Sequence, residues 1–66
     1  MYGFGRNIKS LREERNLSQL QLSEAIGVSP SSITMYEREE RVPRDLVKIK
    51  LANFFNVSVE SIFFAK

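Results

Sequence analysis

The chain has 66 residues, 42% hydrophobic and 27% charged, which is the make-up of one small globular domain. It contains no Cys and no His, so disulfide scaffolds, zinc fingers and Cys- or His-based nucleophiles or metal sites are excluded, and no cofactor is implied. Ten Lys and Arg against eight Asp and Glu leave +2, a mild excess that permits a nucleic-acid partner without demanding one.

A domain this short buries only roughly 60% of the surface of its unfolded chain. Without metal or disulfide, its remaining aids are good helix packing and self-association. No apolar run approaches the roughly 20 residues that cross a bilayer, and Met1 to Arg6 lacks the apolar core of a signal peptide. The expectation is a cytoplasmic chain without a membrane partner.

Taken in order, the first periodic segment places Phe4, Ile8 and Leu11 within one helical stripe about 60° wide. Arg6, Lys9 and Glu13 lie opposite, and Asn16 is the stop, giving a first helix over roughly 5–15. Ser18-Gln19-Leu20-Gln21 fits a capping box. Leu22, Ala25 and Ile26 form the apolar face that follows, and Gly27 ends a second helix over 19–26. Ser29-Pro30 starts a third at once, with Ser as cap and Pro at the first helical position. In that helix, over 30–37, Ile33 and Tyr36 point inward.

Glu39-Glu40-Arg41-Val42-Pro43 reads as a polar loop. The fourth helix, roughly 44–55, carries Leu46, Val47, Ile49, Leu51, Ala52, Phe54 and Phe55 around most of its circumference, which predicts burial on more than one side. Asn56 caps its end, and Ser58 caps a last short helix over roughly 59–64. No alternating run with hairpin chemistry is present. The fold class is therefore all-α, five short helices in a single domain spanning 1–66.

Two short helices joined by Gly27-Val28-Ser29 make a turn tight enough to force a crossing of roughly 90–120°. Around it stand Leu17-Ser18-Gln19, Leu22, Ile26-Gly27-Val28-Ser29, Ser32-Ile33, Tyr36-Glu37-Arg38, Pro43, Leu51-Ala52, Phe55-Asn56-Val57-Ser58 and Ile62-Phe63. This ordered set resembles the lambda-repressor-like (Xre/Cro type) helix-turn-helix family of bacterial and phage regulators. Ile8, Leu11 and Arg12 match its first helix, so the likeness covers nearly the whole chain. Three positions depart from the pattern: Glu39 where Gly is common, Ser23 where Ala is common, and Leu20 where a polar residue is common.

The resemblance implies a double-stranded DNA partner, with helix 3 in a major groove and the helix-turn-helix occupying about 19–37. Ser18 and Gln19 at the start of helix 2 would meet the phosphate backbone, where the positive helix end favours an anion. Ser29, Ser31 and Ser32 crowd the start of helix 3, where capping alone accounts for Ser29. Pro30 either starts that helix or packs on a thymine methyl. Thr34 and Met35 face outward, and Met35 suits a thymine methyl. Arg38, Arg41 and Arg44 suit phosphates, although Glu37, Glu39, Glu40 and Asp45 nearly cancel them, so a neutral solvated loop stays open. The family pattern also pairs Arg12 with Glu37 as a structural salt bridge.

Phe54, Phe55, Ile62, Phe63 and Phe64 concentrate large apolar side chains near the end of the sequence. A shell of 66 residues is too small to hide them all, and a contiguous exposed patch marks an interface. Core packing alone accounts for Phe55, Ile62 and Phe63; Phe54, Ile62, Phe63 and Phe64 are the candidates for a homodimer contact through the segment 44–64, with Phe54 and Phe64 foremost. A two-fold dimer would read half-sites about 34–36 Å apart. An enzyme is not indicated, because no nucleophile–base pair or phosphate-binding Gly-rich loop occurs. The resemblance implies a repressor acting by site occupancy, with an antitoxin or a restriction-modification control protein fitting equally well. The rival from another class is a protein-interaction module, supported by a stretch from Gln19 to Tyr36 in which Glu24 is the sole charge.

Overall fold

Short local signals decide most of the helix limits in the computed structural model, which describes residues 3–64. Five helices occur among them: α1 Phe4–Glu14, α2 Gln19–Ile26, α3 Pro30–Glu37, α4 Asp45–Phe55 and α5 Val59–Phe63. The capping box at α2 is complete: Ser18 Oγ accepts from Gln21 N at 3.0 Å, and Gln21 Oε1 accepts from Ser18 N at 2.8 Å. Gly27 closes α2 in the left-handed region at φ 76°, a conformation nearly free of cost for Gly. Ser29 and Ser58 cap α3 and α5 through their side chains, and Asn56 ends α4 at φ 57°.

α1 starts differently. Its N-cap, Gly3, supplies no side-chain bond. The Oε2 atom of Glu39 instead accepts from Gly5 N at 3.0 Å, across 34 residues of sequence. A carboxylate there also answers the positive end of the helix. Glu39 holds a left-handed backbone, φ 60°, so the side chain that replaces the common Gly recovers by capping what its backbone loses. Gly5 has its own reason: a Cβ there would run into the Glu37 carbonyl and lie 2.8 Å from Tyr36 O. α1 and α3 thus touch backbone to backbone.

One core joins all five helices, built on Phe4, Ile8, Leu22, Ile33, Leu51, Phe55, Ile62 and Phe63, each at most 2% exposed. The Phe4 and Phe63 rings lie 5.6 Å apart, tying α1 to α5. α1 also reaches its neighbours through polar side chains. Asn7 Nδ2 donates to Ile62 O at 2.8 Å. Arg15 donates to Phe55 O at 2.8 Å, and its guanidinium stands 5.0 Å over the Phe55 ring.

Four expectations change here. Ala25 is exposed and Ser23 takes the inward position; its hydroxyl is satisfied by donating to Leu20 O at 2.7 Å. α4 is covered on one side only: Val47, Leu51, Ala52 and Phe55 are buried, whereas Leu46, Ile49 and Phe54 are exposed. Ile62 and Phe63, candidates for a dimer contact, are each 1% exposed and belong to the core of the protomer. Ser32 is turned inward beside Ser29 rather than toward a DNA groove.

Candidate nucleic-acid interface

The turn at Gly27-Val28-Ser29 sets α3 across α2 with one face free of core duty. Ser31, Thr34, Met35 and Arg38 recur at i, i+3, i+4 and i+7, which aligns them along that face. Ser32, Ile33 and Tyr36 occupy the opposite, buried side. Ser31 and Pro30 are exposed, and Thr34 and Met35 are half-buried.

Behind the free face, α3 is braced from two helices. Arg12 and Glu37 meet in a forked ion pair, Nε to Oε2 at 2.7 Å and Nη2 to Oε1 at 3.1 Å. Both side chains are largely buried, at 12% and 5% exposure. The third Arg12 nitrogen, Nη1, donates to Leu17 O at 2.8 Å, which fixes the entry to α2. The hydrogen bond to Glu37 raises the Arg12 guanidinium above its ordinary pKa, and burial opposes this only in part, so Arg12 stays cationic.

Gln19 completes the brace. Its Nε2 donates to Glu37 Oε1 at 3.0 Å, and its Oε1 accepts from Thr34 Oγ1 at 2.9 Å. A carboxylate can only accept, so the amide orientation is forced. The oxygen and one N–H of Gln19 are therefore committed inside the protein. The other amide N–H takes no part in these two bonds. No sequence signal announces this link, because it joins residues 15 and 18 positions apart across two helices.

The serines at the start of α3 largely serve one another. Ser29 Oγ accepts from Ser32 N at 3.2 Å and lies 2.9 Å from Ser32 Oγ and 3.3 Å from Ser31 Oγ. Ser18 and Ser29 remain exposed at the starts of α2 and α3. Arg38, Arg41 and Arg44 are exposed as well. Arg38 comes no nearer than 3.9 Å to the Glu40 carboxylate, an exposed pair of little energetic weight. Neither Arg41 nor Arg44 takes part in an ion pair among the described residues. Also among those residues, no His, Cys, Asp or Glu cluster could hold a metal ion, and no helix is long and apolar enough to cross a membrane.

A family profile described as helix-turn-helix matches residues 8–62, nearly the whole of the five-helix core. The chain belongs to the Xre/Cro-type helix-turn-helix family. Over 59 residues it is 39% identical to the antitoxin PezA of Streptococcus pneumoniae serotype 4, covering 88% of this chain and 37% of that protein. It is 35% identical over 65 residues to the HTH-type transcriptional repressor RghR of Bacillus subtilis, covering 97% and 48%. With the cryptic phage CTXphi transcriptional repressor RstR of Vibrio cholerae it shares 32% identity over 59 residues, covering 89% and 53%. The chain thus spans about half, or less, of the length of these relatives.

Proposed function

We propose that this chain is a sequence-specific double-stranded DNA-binding regulator of transcription, acting as a dimeric repressor on a palindromic operator. The observation that carries the reading is the free face of α3, Ser31, Thr34, Met35 and Arg38, held outward by the Arg12–Glu37–Gln19 brace. A short helix fixed from behind, and relieved of core duty in front, has the form of a major-groove reader. Ser18, Gln19 and Ser29 at two helix starts, with Arg38, Arg41 and Arg44 after α3, would grip phosphates. Repression then follows from occupying the site.

A dimer is supported by exposed apolar side chains on and after α4. Leu46 is 60% exposed, Ile49 48%, Phe54 38% and Phe64 56%. Phe54 and Phe64 stay as interface residues; Leu46 and Ile49 replace Ile62 and Phe63 as the others. Selection of duplexes from a random pool, followed by a salt titration, tests both parts. A palindrome bound with affinity that falls steeply as salt rises is the expected result. A folded protein that binds no duplex at low salt would leave the interaction-module reading standing instead.

The likeness to PezA supports a second reading within DNA binding, in which the regulator also neutralises a toxin. Capture of a toxin by the same exposed α4–α5 side chains would separate it from a stand-alone repressor.

A further inference from the structure

We infer that α3 recognises its site through the C5-methyl groups of pyrimidines, thymine foremost, rather than by donating hydrogen bonds to base edges. The inference rests on the DNA-binding reading above and specifies its ligand. The eight residues of α3 include no Arg, Lys, Asn, Gln or His, the side chains that reach base edges with paired bonds. Glu37 is spent on Arg12 and Gln19. Pro30 has no N–H to give.

The decisive observation is at Thr34. Its hydroxyl has one proton, which goes to Gln19 Oε1 at 2.9 Å, with Pro30 O a weaker alternative at 3.3 Å. Both acceptors lie within the protein. Thr34 is thus left to meet a ligand with its methyl group and an acceptor oxygen, but no donor. Met35, beside it, adds a polarizable thioether and methyl. Ser31 is the exposed hydroxyl on this face, and a serine tolerates several bases. Arg38 lies past the last turn, where a phosphate is within its reach. Between Ser31 and Arg38 the surface offered to the groove therefore holds no donor, and apart from the Thr34 oxygen it is apolar. In the major groove the apolar feature of a base pair is the pyrimidine methyl.

The test uses the full chain and a duplex selected by it from a random pool. Each thymine opposite α3 is replaced by uracil, which removes only the methyl. Affinity should drop about three- to fivefold for each methyl that is buried. That drop should shrink toward zero in Met35→Ala, and likewise in Thr34→Ser, which keeps the hydroxyl bonded to Gln19 while losing the methyl. At the same positions 5-methylcytosine should bind better than cytosine; this arm separates a methyl contact from recognition of the thymine·adenine pair as a whole.

Equal binding of thymine and uracil duplexes overturns the inference, as does equal binding of cytosine and 5-methylcytosine. So does a uracil penalty unchanged in both variants, or a selected half-site whose specificity collapses with Arg38→Ala instead. Absence of binding to any duplex would sink the broader DNA reading, a distinct outcome visible before any base is altered.

Discussion

The half of the molecule around α3 and the half around α4 and α5 share one apolar core, to which α3 gives Ile33 and Tyr36, but they differ in what is added to it. α3 is fixed by directional bonds: the forked Arg12–Glu37 pair, the two-ended Gln19 amide, and the capping hydroxyl of Ser29. α4 and α5 are held mainly by apolar packing of Leu51, Phe55, Ile62 and Phe63. Lys48 lies with its ammonium 5.5 Å from the Phe63 ring. Apolar burial is strong but non-directional. It suits a region that must be compact and present an oily outer side. Hydrogen bonds with fixed geometry suit a helix whose outward angle matters.

Changes on the two sides should therefore break different properties. The largest effect is expected from Arg12→Met, which leaves the Glu37 carboxylate buried without its cation; denaturant unfolding should show a loss of about 3–5 kcal/mol. DNA affinity should fall more than stability alone explains, because α3 loses its angle. Phe63→Ala should cost a similar amount, about 3–5 kcal/mol, through an unfilled core. Its neighbour sharpens the contrast: Phe64→Ala should change protomer stability by no more than about 0.5 kcal/mol, yet weaken self-association in sedimentation equilibrium. Equal destabilisation by the two would show that Phe64 is also needed inside.

Smaller effects follow. Gly5→Ala drives a Cβ into the backbone of α3, and backbone cannot rotate away as a side chain would. Thermal unfolding should report about 1–3 kcal/mol lost. Gln19→Ala should cost about 1 kcal/mol, since Glu37 keeps Arg12 and Thr34 can turn to Pro30 O. The smallest change is expected for Glu39→Gly. Release from the left-handed backbone, worth about 1–2 kcal/mol, offsets loss of the cap on α1, so midpoint temperature should barely move. Hydrogen exchange should still detect the missing cap as faster exchange at the Gly5 amide.

The comparison also explains what was legible in the sequence. Helix limits were readable to within a residue because they are set locally, by Ser18 with Gln21, by Gly27, by Ser29-Pro30 and by Asn56. The all-α class follows from those marks, whereas the family rests on the resemblance carried by the ordered set of residues from Leu17 to Phe63. The outer side of α4 was not readable, because a helix apolar nearly all round does not say which stripe is covered. The same holds for Ile62, Phe63 and Phe64, three consecutive apolar residues of which two are buried. The inward turn of Ser32 leaves no mark in the sequence, because serines at a helix start look alike until packing selects one of them. The Gln19 brace depends on how α2 meets α3, and no spacing within either helix encodes that. Glu39 did leave a trace, as an acid standing where the family favours Gly, but its partner at Gly5 lies 34 positions away.

The bonds made by α1 have a consequence for how the protein comes into being. Asn7, Arg12 and Arg15 reach partners 55, 25 and 40 positions further along the chain. Of the five helices α1 leaves the ribosome first, yet its attachments to Phe55 and Ile62 must wait until α4 and α5 have emerged. Such distant closures are slow relative to local helix formation. The bonds that set α3, by contrast, all join residues between Arg12 and Glu37, so a partly synthesised chain can hold this brace before α4 and α5 complete the core. The direction of the outward face is thus fixed by early, short-range closures, and the apolar seal between α1 and the last two helices by late, long-range ones.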